Sequence, residues 1–158
     1  FLLVDAKGGK TLYVWNGKRW LDNSVIFRIE EDRRIGIKEL MGKTIKAIRR
    51  DCDDCDDVLE FETDSGDVYR MYHQQDCCEQ VELVEMIGDP ADIIGSPILE
   101  AEEVSSNGDK PSDDAESWTW TFYKLGTIKG HMTLRWLGES NGYYSESVDF
   151  VKLKTAGN

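Results

Sequence analysis

The stretch "VLEFETDSGDVYRMY", residues 58–72, decides the fold, because its two arms can be paired residue by residue. Gly66 supplies the left-handed residue that a three-residue hairpin loop with a bulge requires. Pairing Thr63 with Asp67 sets apolar against apolar on one face and opposite charges on the other, as cross-strand energetics favour. The pairs are Leu59 with Met71, Glu60 with Arg70 and Phe61 with Tyr69. The stretch therefore predicts an antiparallel hairpin.

Strand and turn signals continue upstream of this hairpin. Asn16-Gly17 lies between two aromatic-bearing arms in "KTLYVWNGKRWLD", which predicts a second hairpin over residues 10–22. Residues 25–31 have the β-branched and aromatic content of a strand. A short helix is expected over 37–41, ended by Gly42 and followed by a strand over 44–49.

Downstream, the first signal is a short helix. Asp89 is a candidate N-cap, Pro90 suits the first helical position and Gly95 suits the end. A strand is expected over 97–104, and the polar stretch 105–117 is predicted to be a flexible loop.

The last third of the chain predicts three further strands. Trp118, Trp120 and Phe122 share one face by the two-residue period, and we expect that face to be core. The final hairpin is predicted to pair Trp136 with Val148, Arg135 with Asp149 and Leu134 with Phe150, because this register keeps apolar partners together.

These signals together predict a mainly β protein, with an α+β fold as the alternative. The expected architecture is an antiparallel rolled sheet or sandwich of about eight to ten strands with one or two short helical turns. Residues 1–39 are expected to form an N-terminal hairpin and strand extension, and residues 40–158 a single domain. At 158 residues the chain can bury a core without needing disulfides or metal.

The charge of the chain is strongly negative and concentrated in its centre. The net charge is −12, and residues 51–116 hold 22 Asp and Glu against only Arg70 and Lys110. Such a field disfavours direct nucleic-acid binding over this segment and favours basic partners. Solubility is the simplest interpretation, and an acidic surface that mimics DNA is the sharper one. The interaction candidates in the densest part are Asp53, Asp54, Asp56 and Asp57.

The cysteines raise three alternatives around "YHQQDCCEQ", residues 72–80. A zinc site would use a Cys-x-x-Cys pair completed by nearby ligands, drawn from Cys52, Cys55, His73, Cys77 and Cys78. Disulfides could join Cys52 to Cys78 or Cys55 to Cys77 in an oxidising compartment.

In the third alternative the stretch is structural. The strand period then turns Cys77 and Cys78 to opposite sides, with one of them buried. His73 hydrogen-bonds a carboxylate, with Asp76 and Asp57 as the closest candidates.

Catalysis has little support in the sequence. His73 and His131 are the only histidines, and a Cys77 nucleophile with His73 as base would lie among carboxylates that oppose thiolate formation. No phosphate-binding glycine loop or His-Glu-x-x-His motif occurs. We assign no catalytic residue and no cofactor apart from the zinc alternative. No apolar run approaches the roughly 20 residues of a membrane span, and "FLLV" is too short for a signal-peptide core.

The stretch "GESNGYYSES", residues 138–147, allows two interpretations. Asn141 and Gly142 suit a turn with positive φ. Exposed Tyr143 and Tyr144 beside Ser and Asn also suit an adaptable recognition loop.

Residues 40–153 resemble an uncharacterised domain family of bacteriophage and prophage proteins. The resemblance is carried by the His-x-x-Asp-Cys-Cys-Glu run at 73–79 and the Glu-Ser-Asn-Gly-Tyr-Tyr-Ser-Glu run at 139–146. It implies a location in the host cytoplasm or the virion and no established activity.

We therefore expect a non-catalytic structural or interaction domain that binds a protein partner or self-assembles, with no membrane segment. The alternatives are an acidic inhibitor that mimics DNA, and a metal-dependent enzyme or zinc-stabilised domain centred on His73, Asp76 and the cysteines.

Overall fold

The chain forms two antiparallel β-sheets. The computed structural model describes residues 2–4, 10–12, 35–53 and 56–153, with the side chains of 35–51 and 57–153. Its strands are β1 (Leu2–Val4), β2 (Lys10–Leu12), β3 (Ile45–Asp53), β4 (Asp56–Thr63), β5 (Val68–Tyr72), β6 (Glu79–Ile87), β7 (Glu100–Ser106), β8 (Ser117–Thr127), β9 (Gly130–Ser140) and β10 (Asp149–Leu153). Sheet I has the order β1-β2-β3-β4-β5-β10, and sheet II has the order β6-β9-β8-β7. The mainly β antiparallel fold predicted from the sequence is confirmed.

One apolar core lies between the sheets. Sheet I contributes residues such as Ile48, Phe61 and Met71, and sheet II contributes residues such as Leu134 and Trp136, all nearly inaccessible to solvent. Burial of this apolar area is the main favourable term in the stability of the fold. The architecture is therefore a sandwich.

The hairpin at 58–72 has the register that its sequence predicts. Leu59 pairs with Met71, Glu60 with Arg70 and Phe61 with Tyr69. Gly66 has a φ of 91°, and the backbone N–H of Thr63 donates to the carbonyl of Asp67 at 2.8 Å. The paired charges face outward, where Arg70 Nη2 lies 2.6 Å from Glu60 Oε1.

Both predicted helical turns are present as 3-10 helices. The first spans Ile37–Leu40 and is followed by Gly42 with a φ of 77°. The second spans Pro90–Asp92, and Asp89 caps it by accepting a hydrogen bond from the N–H of Ala91 at 2.9 Å. The short helix predicted over 37–41 buries Ile37 and Leu40 in the core.

Strand β8 presents the opposite face to the core from the one that we expected. Tyr123 and Leu125 are buried between the sheets, whereas Phe122 and Trp118 are only half-buried on the outer face. Trp120 is also on that face and is covered, because its Nε1 donates to the carbonyl of Asp109 at 2.8 Å. The two-residue period was right, but the assignment of its faces was wrong.

Residues 107–116 provide this cover. Trp118 Nε1 donates to the carbonyl of Asn107 at 3.2 Å, and Asn107 Nδ2 donates back to the carbonyl of Trp118 at 3.0 Å. The segment predicted as a loop over 105–117 begins later and ends earlier, because residues 105–106 belong to β7 and residue 117 to β8. Trp118 and Trp120 on the outer face of β8 are thus covered by a loop, not by the other sheet.

The predicted hairpin between β9 and β10 is wrong. The chain leaves sheet II after β9, and β10 joins sheet I by pairing with β5. This pairing places Phe150 opposite Met71 and Asp149 opposite Tyr72. Trp136 pairs instead with Leu83 on one side and Thr121 on the other. Val148 is partly buried against the core, and Phe150 is buried as predicted.

A polar link joins the two sheets beside the core. Arg50 Nη2 lies 2.7 Å from Asp57 Oδ1 and also donates to the carbonyl of Leu83 at 3.0 Å. Asp57 Oδ2 in turn accepts from the N–H of Leu83 at 2.8 Å. The register of β6 shifts between Leu83 and Glu85, so this pair satisfies backbone groups at an irregular point of the strand.

The remaining expectations for the N-terminal part lie outside the described residues. The turn at Asn16-Gly17 and the strand over 25–31 belong to this group.

The two faces of sheet II predict different costs of truncation. Trp136→Ala should lower the free energy of unfolding by about 3–5 kcal/mol, because it removes a fully buried ring. Phe122→Ala, the matched change on the outer face, should cost about 1 kcal/mol. Urea denaturation of both variants measures the difference, and equal costs would contradict the assignment of faces.

Candidate functional site

One end of the sandwich is organised by the carboxylate of Glu79, the first residue of β6. Its Oε1 accepts from the N–H of Asp76 at 2.6 Å, and its Oε2 accepts from the N–H of Cys77 at 3.1 Å. Its backbone carbonyl accepts from Gln75 Nε2 at 2.6 Å. The side chain of Glu79 is 1% exposed, so these contacts replace water as its solvation. Glu79 therefore holds residues 74–78 in place through hydrogen bonds from its buried side chain and its backbone carbonyl.

The same contacts set the charge of Glu79. Burial raises the pKa of a carboxyl group, but the hydrogen bonds from Asp76, His73 and Cys77 outweigh it and lower the pKa of Glu79 from 4.5 to about 2. The residue is thus a buried anion at neutral pH, and its charge is balanced by donors.

His73 connects this loop to a second segment. Its Nε2 donates to Glu79 Oε1 at 3.1 Å, and its Nδ1 donates to the carbonyl of Ser147 at 2.8 Å. Both ring nitrogens therefore face oxygen acceptors. The expected bond from His73 to a carboxylate is confirmed, but its partner is Glu79, not Asp76 or Asp57.

Cys77 and Cys78 form a disulfide with each other. Both residues are exposed and lie in a bend, not in a strand. The prediction that they point to opposite sides with one buried is wrong, because the strand period does not apply between β5 and β6. Because the two sulfurs are bonded to each other, neither is available for the disulfides that we predicted with Cys52 or Cys55.

The second segment, residues 138–147, is held by Glu146. Its carboxylate accepts from Thr119 Oγ1 and from Ser140 Oγ, each at 2.7 Å. Burial raises the pKa of Glu146, but hydrogen bonds from Ser117, Ser140 and Thr119 dominate and lower it. A Cβ on Gly138 would overlap the backbone of Glu146, so the segment lies directly against β9.

The tip of this segment is exposed. Gly142 has a φ of 90°, as the predicted turn requires, and the N–H of Tyr143 donates to Asn141 Oδ1 at 3.1 Å. Tyr143 is 91% exposed, whereas Tyr144 is half-buried. Of the four recognition candidates, Asn141, Gly142 and Tyr143 are thus accessible to a partner.

A cleft of about 500 Å³ lies where the paired ends of β6 and β9 face the loop that covers Trp120. All ten lining residues are neutral or acidic: Cys78, Glu79, Gln80, Ser112, Asp114, Ala115, Glu116, Glu139, Ser140 and Asn141. The cleft therefore offers carboxylate, hydroxyl and amide groups together with an exposed disulfide at its rim.

The acidic residues of 51–116 whose side chains the structure describes do not share one surface. Glu60, Glu62 and Asp67 form ion pairs with Arg49, Arg70, Lys46 and Lys152 on sheet I. Asp57 makes the link to Arg50 and Leu83, and Glu79 is buried. The carboxylates of Asp109, Asp113, Asp114 and Glu116 belong to the loop over sheet II. The side chains of Asp53, Asp54 and Asp56 lie outside the described residues.

The proposed metal ligands are only partly described. The side chains of Cys52 and Cys55 lie outside the described residues, and Cys77 and Cys78 are oxidised. Within the described part, no group of three or more His, Cys, Asp and Glu side chains is placed to hold a metal ion. His131 lies far along the β8–β9 hairpin, where its Nε2 contacts Glu100 Oε2 at 2.9 Å. Among the described helices, none has the length and apolarity to cross a membrane.

Sequence reasoning missed the residues that shape this end of the fold, namely Glu79, Glu146, Gly138 and Ser147. A signal for Glu79 was present, because an acidic residue just after a polar bend can accept from the N–H groups of that bend. No local signal points to Ser147, since its partner is 74 residues away in the chain.

The lowered pKa of Glu79 predicts a specific acid sensitivity. Its ionised form stabilises the fold fully above pH 4.5, and this contribution is lost as the pH falls through about 2. Between pH 5 and 2 the wild-type protein should lose more free energy of unfolding than Glu79→Gln, which has no proton to gain. Urea denaturation across this range measures both slopes, and parallel slopes would contradict the assigned role.

The close approach at Gly138 predicts a second effect. Gly138→Ala should displace residues 141–147 and lower the melting temperature, because the added methyl group overlaps backbone and cannot be relieved by a rotamer. Gly36→Ala is the matched control, since a Cβ there meets nothing within 4 Å. Thermal unfolding of both variants tests this, and equal melting temperatures would show that the segment is not held against β9.

Comparison with known proteins adds a family. Neither the curated proteins nor the solved structures gave a match to this chain. One family model matches residues 38–150, which is more than two thirds of the chain and includes β3 to β9 and both segments around the cleft. The chain belongs to the family described as "Domain of unknown function (DUF7448)".

Proposed function

We propose that this chain is a non-catalytic protein-interaction domain whose binding site is the cleft lined by residues 78–80 and 139–141 and by the loop at 112–116. The observation that carries the proposal is the convergence of two distant segments on one cleft. The first segment is fixed by the buried carboxylate of Glu79 and the second by the half-buried carboxylate of Glu146. Other side chains of both segments, such as Cys78 and Asn141, are exposed. Binding surfaces that are held in place before binding lose less entropy on association.

The chemistry of the cleft specifies the kind of partner. Asp114, Glu116 and Glu139 are unopposed by a basic residue in its lining, so a partner with Lys or Arg side chains is favoured. Tyr143 adds an exposed amphipathic ring two residues after Asn141, which lines the cleft, and tyrosine is enriched where proteins bind one another. We infer a basic protein segment as the ligand.

The setting of this interaction is part of the proposal. The resemblance of the 73–79 and 139–146 runs to bacteriophage and prophage domains supports a partner in the host cytoplasm or the virion. The zinc and DNA-mimic alternatives stay predictions. The division of the acidic residues between two sheets lends the DNA-mimic alternative no specific support.

A random peptide library displayed against the immobilised protein tests the proposal. Wild-type protein should enrich peptides that contain Lys or Arg, with binding that weakens as salt is raised. Tyr143→Ala should weaken binding of the selected peptides about tenfold, which is a common effect of removing an interface aromatic.

Ile128→Ala is the matched control. Ile128 is 84% exposed at the tip of the β8–β9 hairpin, about 30 Å from the cleft along the strands. Its removal should leave peptide binding unchanged. Equal losses in both variants, or no enrichment by the wild-type protein, would overturn the proposal.

A further inference from the structure

The disulfide between Cys77 and Cys78 is more than a packing feature. Both cysteines are exposed, and neither sulfur is needed to hold the loop, because the N–H of Asp76 and Cys77 are bound by Glu79. The N–H of Gln74 is bound separately by Asp149 Oδ2 at 3.3 Å. Buried structural disulfides are inert, whereas an exposed one can be attacked by a thiolate.

We propose that Cys77–Cys78 is a reversible thiol–disulfide exchange site that reacts preferentially with neutral or cationic dithiols. The proposal does not depend on the cleft binding a protein. It rests on the exposure of both cysteines, on the hydrogen bonds from Glu79 that hold their loop, and on the charges around the cleft that Cys78 lines.

The exchange is balanced by the dithiol. One thiolate of the dithiol attacks Sγ of Cys78, which faces the cleft, and the bond to Cys77 breaks. The sulfur of Cys77 leaves as a thiolate and takes up a proton. The second thiol of the reagent then attacks its own sulfur in the mixed disulfide and releases Cys78 as a thiol. The two cysteines gain two electrons and two protons, and the dithiol leaves as a cyclic disulfide.

Selectivity for the reagent comes from the surrounding carboxylates. Asp76 precedes the pair in the chain, Glu79 is anionic beneath it, and Asp114, Glu116 and Glu139 line the cleft. A cleft with charges of one sign raises the local concentration of opposite charges and lowers that of like charges. An anionic reagent should therefore be excluded from Cys78.

The hydrogen bonds of Glu79 also predict that reduction of the disulfide leaves the fold intact. The contacts of Glu79 with Asp76, Cys77 and His73 involve nitrogen and oxygen atoms only. Cys77→Ser/Cys78→Ser should therefore keep a cooperative transition with a melting temperature within about 5 °C of the wild-type value. Loss of folding in this variant, or in the reduced protein, would overturn reversible exchange at this site.

The first measurement establishes the bond. Native protein purified in air is alkylated with iodoacetamide before and after treatment with dithiothreitol, and peptide mapping separates residues 77 and 78 from Cys52 and Cys55. We expect no alkylation of Cys77 and Cys78 before reduction and full alkylation of both afterwards. Alkylation before reduction, a bond to Cys52 or Cys55, or reduction only in urea would each overturn the proposal.

The second measurement tests selectivity. Rates are compared for dithiobutylamine, dithiothreitol and dihydrolipoate, which are cationic, neutral and anionic and all close to cyclic disulfides, each divided by its rate on the neutral bis(2-hydroxyethyl) disulfide. At low salt the cationic reagent should exceed the anionic one by about tenfold or more, and the ratio should approach one at high salt. Asp114→Asn/Glu116→Gln, which alters exposed loop positions, should reduce the ratio. Equal normalised rates at low salt would overturn the charge selection.

Discussion

The hydrogen-bonded pair of His73 and Glu79 is the interaction on which the functional end of this molecule depends. The chain crosses from sheet I to sheet II between β5 and β6, and returns from sheet II to sheet I between β9 and β10. His73 lies in the first crossing and binds the carbonyl of Ser147 in the second. Glu79 completes the link by accepting from His73 and from the backbone of the first crossing. Both crossings are thereby fixed to each other, and their residues next to sheet II, Cys78 and Asn141, line the cleft.

Sequence reasoning succeeded where structure is decided locally. The register of the 58–72 hairpin follows from side chains a few positions apart, and both faces of the pair agreed on one alignment. The 3-10 helices followed from Gly42 and from Asp89-Pro90 in the same way. It failed for β10, because Trp136 with Val148 and Met71 with Phe150 are equally good apolar pairs. Only the packing of the whole sandwich selects the second.

The error in β8 has a different physical origin. A two-residue period gives two faces but does not say which of them meets the other sheet. Trp118 and Trp120 carry N–H groups that need acceptors, and the carbonyls of Asn107 and Asp109 in the covering loop provide them. Leu125 has no polar atom in its side chain and packs in the dry core. The polarity of an aromatic group does not by itself select the face, since Tyr123 and Trp136 lie in the core and Phe122 lies on the outer face.

The candidate site was anticipated in its parts but not in its assembly. The two unusual runs were recognisable in the sequence, and so were the turn at Gly142 and a carboxylate partner for His73. Their meeting at one cleft could not be recognised in the sequence, because it depends on the path of the chain from β9 in sheet II to β10 in sheet I. The adjacent cysteines were misassigned for a related reason, since a strand period was extended into a bend.

The distribution of charge gives this assembly a direction. On sheet I, Arg49 and Arg70 neutralise Glu60 and Glu62 through ion pairs. Residues 79–147 contain sheet II with its covering loop, and they hold 14 acidic residues against four Lys and Arg. Most of the unbalanced negative charge therefore belongs to sheet II and the loop over its outer face. A cationic partner or reagent is drawn to that side of the molecule, where the cleft and the exposed disulfide lie.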